Sequence, residues 1–287
     1  IAGGKLVHMY KWDAGEAIRL IERERISSLS GVPVMAREVL SHPDYEKADT
    51  SSLAAVGGGG AAVQPDLVDK ISGKSAASPV SAFGMTEVCG LATGIGGPYF
   101  KDKPESVGPV LPTLDVKCVD GEGNTLPAGE RGEVLLKGAQ VIKGYLNRPD
   151  ATAETIVDGW LHTGDIGYLD EDGFLFIVDR IKDMVLRGGE NIYCAEVEAV
   201  LFKYPGVTEA VVFGVPDGHM GEEVGAAIYS ESGAIDVDAL RTYCREHLAA
   251  YKVPRFVWLV QAPLPRNASG KFLKKELRTS LAVEDAV

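Results

Sequence analysis

Ser81-Ala82-Phe83-Gly84-Met85-Thr86-Glu87 is the stretch on which the reading of this chain turns. Three later blocks accompany it: Trp160-Leu161-His162-Thr163-Gly164-Asp165, Asp179-Arg180-Ile181-Lys182-Asp183 and Pro265-Arg266-Asn267-Ala268-Ser269-Gly270-Lys271. Each taken alone has a bland reading. The first is a loop, the second a hairpin cap or surface acid, the third a charged hairpin edge, and the fourth a solvated basic face ahead of Lys274, Lys275 and Arg278. In this order and company they make a strong signal.

Working outward, residues 13–26 place Ala17, Ile18, Leu20 and Ile21 on one helical stripe behind Asp13, a good N-cap. Ala36–Leu40 reads as a second helix. Ala54-Ala55-Val56 reads as a short buried strand that Gly57–Gly60 ends, and Pro65 starts a further helix. This alternation predicts part of a layered α/β domain over 1–107. From 108 to 180 short β-prone runs take over: Leu114–Val119, Gly132–Lys137, Gly167–Leu169 and Phe174–Val178, the last two joined by the hairpin signal Asp170-Glu171-Asp172-Gly173. That predicts a β-rich subdomain. Over 181–287 strands at Met184–Leu186, Glu209–Val215, Glu223–Ser230 and Phe256–Val260 alternate with helices at Ala195–Tyr204, Val237–Ala249 and Lys274–Leu281. That predicts a small α+β domain.

The chain has 287 residues, an apolar content of 45% and a net charge of −12. The acidity weighs against a general nucleic-acid binder, which shows a basic face. Cys89, Cys118, Cys194 and Cys244 are scattered without zinc spacing and read as small buried thiols of a reducing cytoplasm. No apolar run approaches the ~18–20 residues of a membrane span. The start, Ile1-Ala2-Gly3-Gly4-Lys5, lacks both an initiator Met and a signal-peptide layout, and reads as an artificial or proteolytic beginning.

The four blocks together resemble the adenylate-forming superfamily of acyl-CoA synthetases, luciferases and peptide-synthetase adenylation domains. The resemblance covers nearly the whole chain and matches the C-terminal portion of such an enzyme. It implies the roles that follow. Phe83, Gly84 and Met85 lie beside the adenine, Thr86 serves the phosphate or acyl carboxylate, and Glu87 binds Mg²⁺, a cation that favours carboxylate and phosphate oxygens. Gly59-Gly60-Ala61-Ala62 resembles the Gly-Gly-Ala-Pro turn that flanks the adenine, with Ala62 where proline is common. Asp165 accepts from the ribose hydroxyls. Arg180 meets ribose or phosphate oxygens through its planar fork. Lys182 matches the hinge about which the C-terminal domain swings between two orientations.

Gly188, Gly189 and Glu190 match the loop beside the pantetheine tunnel, and Cys194 replaces a usual proline. Within the resemblance, Asp179 before Arg180 favours the acyl-CoA ligase branch over peptide-synthetase adenylation domains, and the Gly188-Gly189-Glu190-Asn191-Ile192 run leans toward fatty-acyl and related short-acyl ligases. Lys271 matches the lysine of Pro-Arg-x-x-x-Gly-Lys, whose ammonium neutralises charge developing between carboxylate and α-phosphate. Gly144-Tyr145-Leu146-Asn147-Arg148-Pro149 matches a segment read as structural. Lys252 divides evenly between a CoA-phosphate contact and a structural role.

One expected part is absent: the Ser/Thr/Gly-rich phosphate loop ending Pro-Lys-Gly. The expectation is therefore a fragment of an ATP-dependent carboxylic acid–CoA ligase, inactive alone, whose substrates are a carboxylic acid, ATP and CoA. The missing N-terminal portion of the same protein would be its partner. Transfer to a carrier protein and an inactive binding or scaffold fragment are the alternatives. A metal hydrolase built from scattered His and Asp finds no ligand spacing. Monomer, dimer and tetramer all stay open, as does the acyl substrate.

Overall fold

The computed structural model describes residues 3–59, 65–231, 233, 235–267 and 271–287. The chain divides into two compact units. Ile1–Val116, Leu136–Leu161 and Leu169–Phe176 form the first; Lys117–Leu135, His162–Tyr168 and Ile177–Val287 form the second.

The first unit opens with α1 (Ala14–Glu24), β1 (Ser28–Gly31), α2 (Pro33–Ser41), β2 (Ala55–Gly59), α3 (Pro65–Lys74), β3 (Ser78–Ala82), β4 (Ile95–Gly96) and α4 (Gly97–Asp102). The strands form a sheet in the order β1-β2-β3-β4, parallel except at its β4 edge. Asp13 caps α1 by accepting the Glu16 N–H at 2.7 Å. Ala17, Ile18 and Ile21 then pack with Ala36, Val39 and Leu40 of α2 and Val56 of β2. Burying the isoleucine, valine and leucine side chains among them contributes about 1.5–3 kcal/mol each, which ties the helices to the sheet.

The glycine run does not end the strand, as its composition suggested. Gly57 and Gly58 continue β2 at φ +149°, and a Cβ on either would lie 2.0 Å from the Val80 or the Gly31 carbonyl oxygen. Flanking strands press on β2 from both sides, so these glycines mark close backbone approach rather than termination. Gly60, Ala61 and Ala62 lie outside the described residues.

The middle of the chain adds β5 (Gly108–Pro109), β6 (Leu114–Val119), β7 (Gly132–Gly138), α5 (Pro149–Thr155), β8 (Ile156–Val157), β9 (Trp160–Leu169) and β10 (Phe174–Arg180). Its sheet runs β5-β10-β9-β7-β6, with β8 paired to β9. The division between the units falls within β6, β7, β9 and β10. β9 is longer than the expected Gly167–Leu169, because it takes in the whole Trp160–Asp165 block. The turn into β10 is closed by Gly173 N–H donating to the Asp170 carbonyl at 3.0 Å, while the Asp170 carboxylate accepts the Phe174 N–H at 2.9 Å. Lys103 pairs with Asp170 and, at 2.8 Å, with Asp172.

The last part contains β11 (Val185–Arg187), β12 (Glu190–Ile192), α6 (Cys194–Leu201), β13 (Glu209–Asp217), β14 (Gly221–Tyr229), α7 (Val237–His247), β15 (Phe256–Val260) and α8 (Lys274–Ser280). The sheet order is β12-β11-β14-β13, with β15 parallel to β14. Alternate residues of β13 face opposite layers. Ala210 and Val212 join Val197 and Leu201 of α6 and Leu240 and Cys244 of α7, whereas Val211 and Phe213 join Trp258 and Leu277 of α8. Covered on both faces, β13 reads as a nearly unbroken apolar run.

Of the four cysteines, Cys118, Cys194 and Cys244 are buried and Cys89 is exposed. A chromogenic disulfide reagent should therefore titrate one fast thiol per folded chain and the other three only after denaturation. More than one fast thiol would contradict the packing described.

Candidate active site

In the first unit β3 delivers its end into the Phe83–Glu87 block. The block folds into a tight turn: Val88 and Gly90 N–H both donate to the Met85 carbonyl, at 3.2 and 3.0 Å. Gly84 is obligatory here, because a Cβ would sit 1.8 Å from the Gly90 carbonyl oxygen. Gly84→Ala should lower folding stability by about 3 kcal/mol or more, visible as a lower urea midpoint; an unchanged midpoint would show that the turn yields. The buried Thr93 anchors the block. Its hydroxyl accepts the Phe83 N–H at 3.1 Å and donates to the Val107 carbonyl at 2.6 Å. Gly59 lies beside this block, paired with Ala82 across β2 and β3. Thr86 is exposed, and Glu87 is half-buried. The Glu87 carbonyl accepts the Ile142 N–H at 2.9 Å, and its Oε1 accepts from the Tyr145 hydroxyl at 2.8 Å.

Glu87 fits the Mg²⁺ role by its donor chemistry. Among the described residues no cluster of three or more His, Cys, Asp or Glu forms a metal cage. Mg²⁺ is commonly held by one or two carboxylates together with substrate phosphates, which matches a single acidic side chain on an open turn.

In the second unit Asp165 is carried by β9 and is only 4% exposed. The Arg180 Nε, at the end of β10, donates to its Oδ1 at 3.1 Å. Burial raises the Asp165 pKa above the ordinary carboxylate value; the positive charges of Arg180, Lys271 and Lys182 offset part of that rise. One buried acid is thus reached by the charges of Arg180 and Lys182, near neighbours in sequence, and of Lys271, far along the chain. His162 is engaged elsewhere, its Nδ1 lying 2.8 Å from Glu133 Oε2. Glu133 Oε1 also accepts the Gly164 N–H at 3.1 Å.

Lys182 is exposed in a turn after β10, in which the Asp183 and Met184 N–H groups donate to the Arg180 carbonyl at 3.0 Å each. Gly188 and Gly189 form the two-residue connection of the β11–β12 hairpin, with φ of 57° and 89°. Positive φ at both positions is what such a hairpin requires. Glu190 opens β12 and is exposed. Cys194 takes the first position of α6, a place where proline is readily tolerated. Its Sγ donates to the Asp183 carbonyl at 2.9 Å, and burial pushes its pKa far up, so it is an unreactive thiol.

The Lys271 loop is fastened at both ends. Asn267 N–H donates to the Lys271 carbonyl at 2.9 Å, and Lys271 N–H donates to Asn267 Oδ1 at 3.0 Å. The Arg266 guanidinium lies 3.8 Å from the Phe272 ring centre and bonds Glu209 Oε1 at 2.9 Å. On the far side Lys274 pairs with Glu198 at 2.9 Å and donates to the Val212 carbonyl at 3.1 Å. Burial works against the Lys274 ammonium, yet Glu198 raises its pKa overall. Residues 268–270 lie outside the described set. Lys252 is committed to Glu196, with Nζ 2.7 Å from both carboxylate oxygens. Thr93 and the contact of Tyr145 with Glu87 were not foreseen: nothing local in the sequence distinguishes these hydroxyls from other threonines and tyrosines.

The chain belongs to the AMP-binding enzyme family, whose model matches residues 1–146; the family's C-terminal domain model matches residues 196–271. It is 40% identical over 279 residues to a feruloyl-CoA synthase of Amycolatopsis sp, covering 97% of this chain and 56% of that protein. Against a long-chain-fatty-acid–CoA ligase of Salmonella typhimurium the identity is 37% over 278 residues, with 97% and 49% covered. Among solved structures, o-succinylbenzoate CoA synthetase from Bacillus subtilis, in complex with its acyl-adenylate intermediate, superposes with a TM-score of 0.83 at 33% identity. That match covers 93% of this chain and 54% of that one. The chain therefore spans about half the length of the curated relatives it matches. Among the described residues no helix is long and apolar enough to cross a membrane.

Proposed function

We propose that this chain is the C-terminal portion of an AMP-forming carboxylic acid–CoA ligase. The observation that carries the reading is the buried Asp165 with Arg180 bonded to it and the charges of Lys271 and Lys182 acting on it. A buried carboxylate beside a guanidinium suits a ribose diol, and ammonium groups nearby suit phosphate.

In the first half-reaction the substrate carboxylate attacks the α-phosphate of ATP, and pyrophosphate leaves. Thr86 would donate to the phosphate or acyl oxygens, and Phe83, Gly84 and Met85 would line the adenine with Gly59, Gly60 and Ala61. Asp165 would hold the ribose, and Lys271 would offset the charge that builds between carboxylate and phosphate. Mg²⁺, held by Glu87, would supply charge neutralisation on the phosphates. In the second half-reaction the CoA thiol attacks the acyl carbonyl and AMP leaves. Lys182 would be the hinge of that change, and Gly188, Gly189 and Glu190 would approach the pantetheine. We read the chain as three modules, 1–107, 108–180 and 181–287, each with its own sheet. The last would be the mobile one. Small or fatty aliphatic acids are our first choice of substrate, and the cytoplasm our first choice of location.

The test is ATP–pyrophosphate exchange in the full-length protein across carboxylic acids of graded length. Product analysis with CoA and with a carrier protein follows. Exchange with a CoA thioester as product supports the proposal. Acylation of the carrier alone supports the alternative acceptor, and no exchange with any acid supports a binding role.

A further inference from the structure

We propose that Tyr145 is a positioning residue for Glu87, holding one carboxylate oxygen so that the other is left for the divalent cation. This rests on the reading of Glu87 given above. The two residues are 58 positions apart, yet the Tyr145 hydroxyl donates to Glu87 Oε1 at 2.8 Å. The same segment also grips the turn through its backbone, the Ile142 N–H donating to the Glu87 carbonyl at 2.9 Å. Glu87 is thus held at both its main chain and its side chain by one stretch.

The residues around Tyr145 are arranged to place that ring. Tyr145 N–H donates to Thr152 Oγ1 at 2.9 Å, and Thr152 Oγ1 donates to the Arg148 carbonyl at 2.8 Å. Gly144 sits at φ +154°, where a Cβ would come within 2.8 Å of the Thr152 methyl carbon. Asn147 adopts the left-handed conformation at φ 56°, and Pro149 then starts α5. That helix carries Thr155, whose side chain lies near the phenol. The run from Gly144 to Pro149, which the sequence presents as scaffolding, is therefore built around one hydroxyl.

A tyrosine suits the task. A phenol is a hydrogen-bond donor at neutral pH, its ordinary pKa being about 10. Being neutral, it restrains the carboxylate without cancelling the negative charge that a divalent cation needs. Groups that orient a metal-binding side chain typically change metal affinity or activity by about 10–100-fold when removed.

The experiment compares wild type with Tyr145→Phe in the full-length protein, following ATP–pyrophosphate exchange as Mg²⁺ is varied. The half-saturating Mg²⁺ concentration should rise about tenfold. Thioester formation from supplied acyl-adenylate, which consumes no ATP, should be unchanged, as should the thermal midpoint. Thr155→Val keeps the ring and removes a neighbour of the hydroxyl; it should shift the Mg²⁺ requirement in the same direction by a smaller factor, and it decides the question if Tyr145→Phe lowers the midpoint. An unchanged or lower Mg²⁺ requirement overturns the proposal, as does equal loss of both half-reactions. A wild-type protein that exchanges with no acid fails earlier, and overturns the site reading and this inference together.

Discussion

Lys271→Ala in the full-length protein should slow acyl-adenylate formation by about 10²–10³-fold, the loss typical when one preorganised group facing a transition-state charge is removed. Thioester formation from supplied acyl-adenylate should stay within about twofold of wild type, because the proposed second half-reaction does not use this ammonium. The asymmetry is the informative part. A residue that merely held the domain together would depress both half-reactions equally, and such a result would end the division of labour proposed here. The loop's fastenings make the truncation clean. The Asn267–Lys271 backbone bonds and the Arg266–Phe272 stack do not depend on the Lys271 side chain.

Asp165→Asn should move binding and stability in opposite directions. Nucleotide affinity should fall by about 10²-fold, since a carboxylate accepting from a diol is replaced by an amide that offers one acceptor oxygen and two donors. Stability at neutral pH should rise. The sign follows from the direction of the shift. The folded state holds the Asp165 proton to a higher pH than the unfolded chain, whose ordinary value is about 3.9. The folded form therefore binds more protons as pH rises from that value to its own raised pKa, and stability falls across that window. Above it the full penalty of a buried charge applies. The asparagine lacks this penalty, and Arg180 is left with a side chain 47% exposed to water. Equilibrium nucleotide binding and urea midpoints at two pH values check both halves. A variant that loses stability at neutral pH would show that the Arg180 bond outweighs desolvation.

Legibility followed the type of information. The Phe83–Glu87, Asp165, Arg180 and Lys271 blocks stood out because their chemistry resides in residue identity and order. Helices with a single buried stripe, such as α1 and α7, were equally plain. Position in three dimensions was not. β1 is four residues, Ser28-Leu29-Ser30-Gly31, with no hydrophobic run, and β3 contains Pro79; neither resembles a strand until the neighbouring strand is in place. The Gly57–Gly60 run read as an end because glycine usually breaks a strand. At Gly57, Gly58 and Gly59 the carbonyls of adjacent strands leave room for nothing larger. The cluster around Asp165 joins β9, the end of β10 and a loop more than a hundred residues away, a distance no local pattern spans.

The bolting of the lysine loop has a consequence for how such a protein evolves. Glu209, Glu198 and Val212 secure its two roots; Val212 is buried in the sheet, and the two glutamates are half-buried beside it. If the proposed swing takes place, those anchors would make Lys271 travel with the layer that carries them. Under the proposed mechanism, a change to Glu209 or Glu198 would be felt first as poor timing between the two half-reactions, whereas Val212 lends only its main-chain carbonyl, which a substitution keeps.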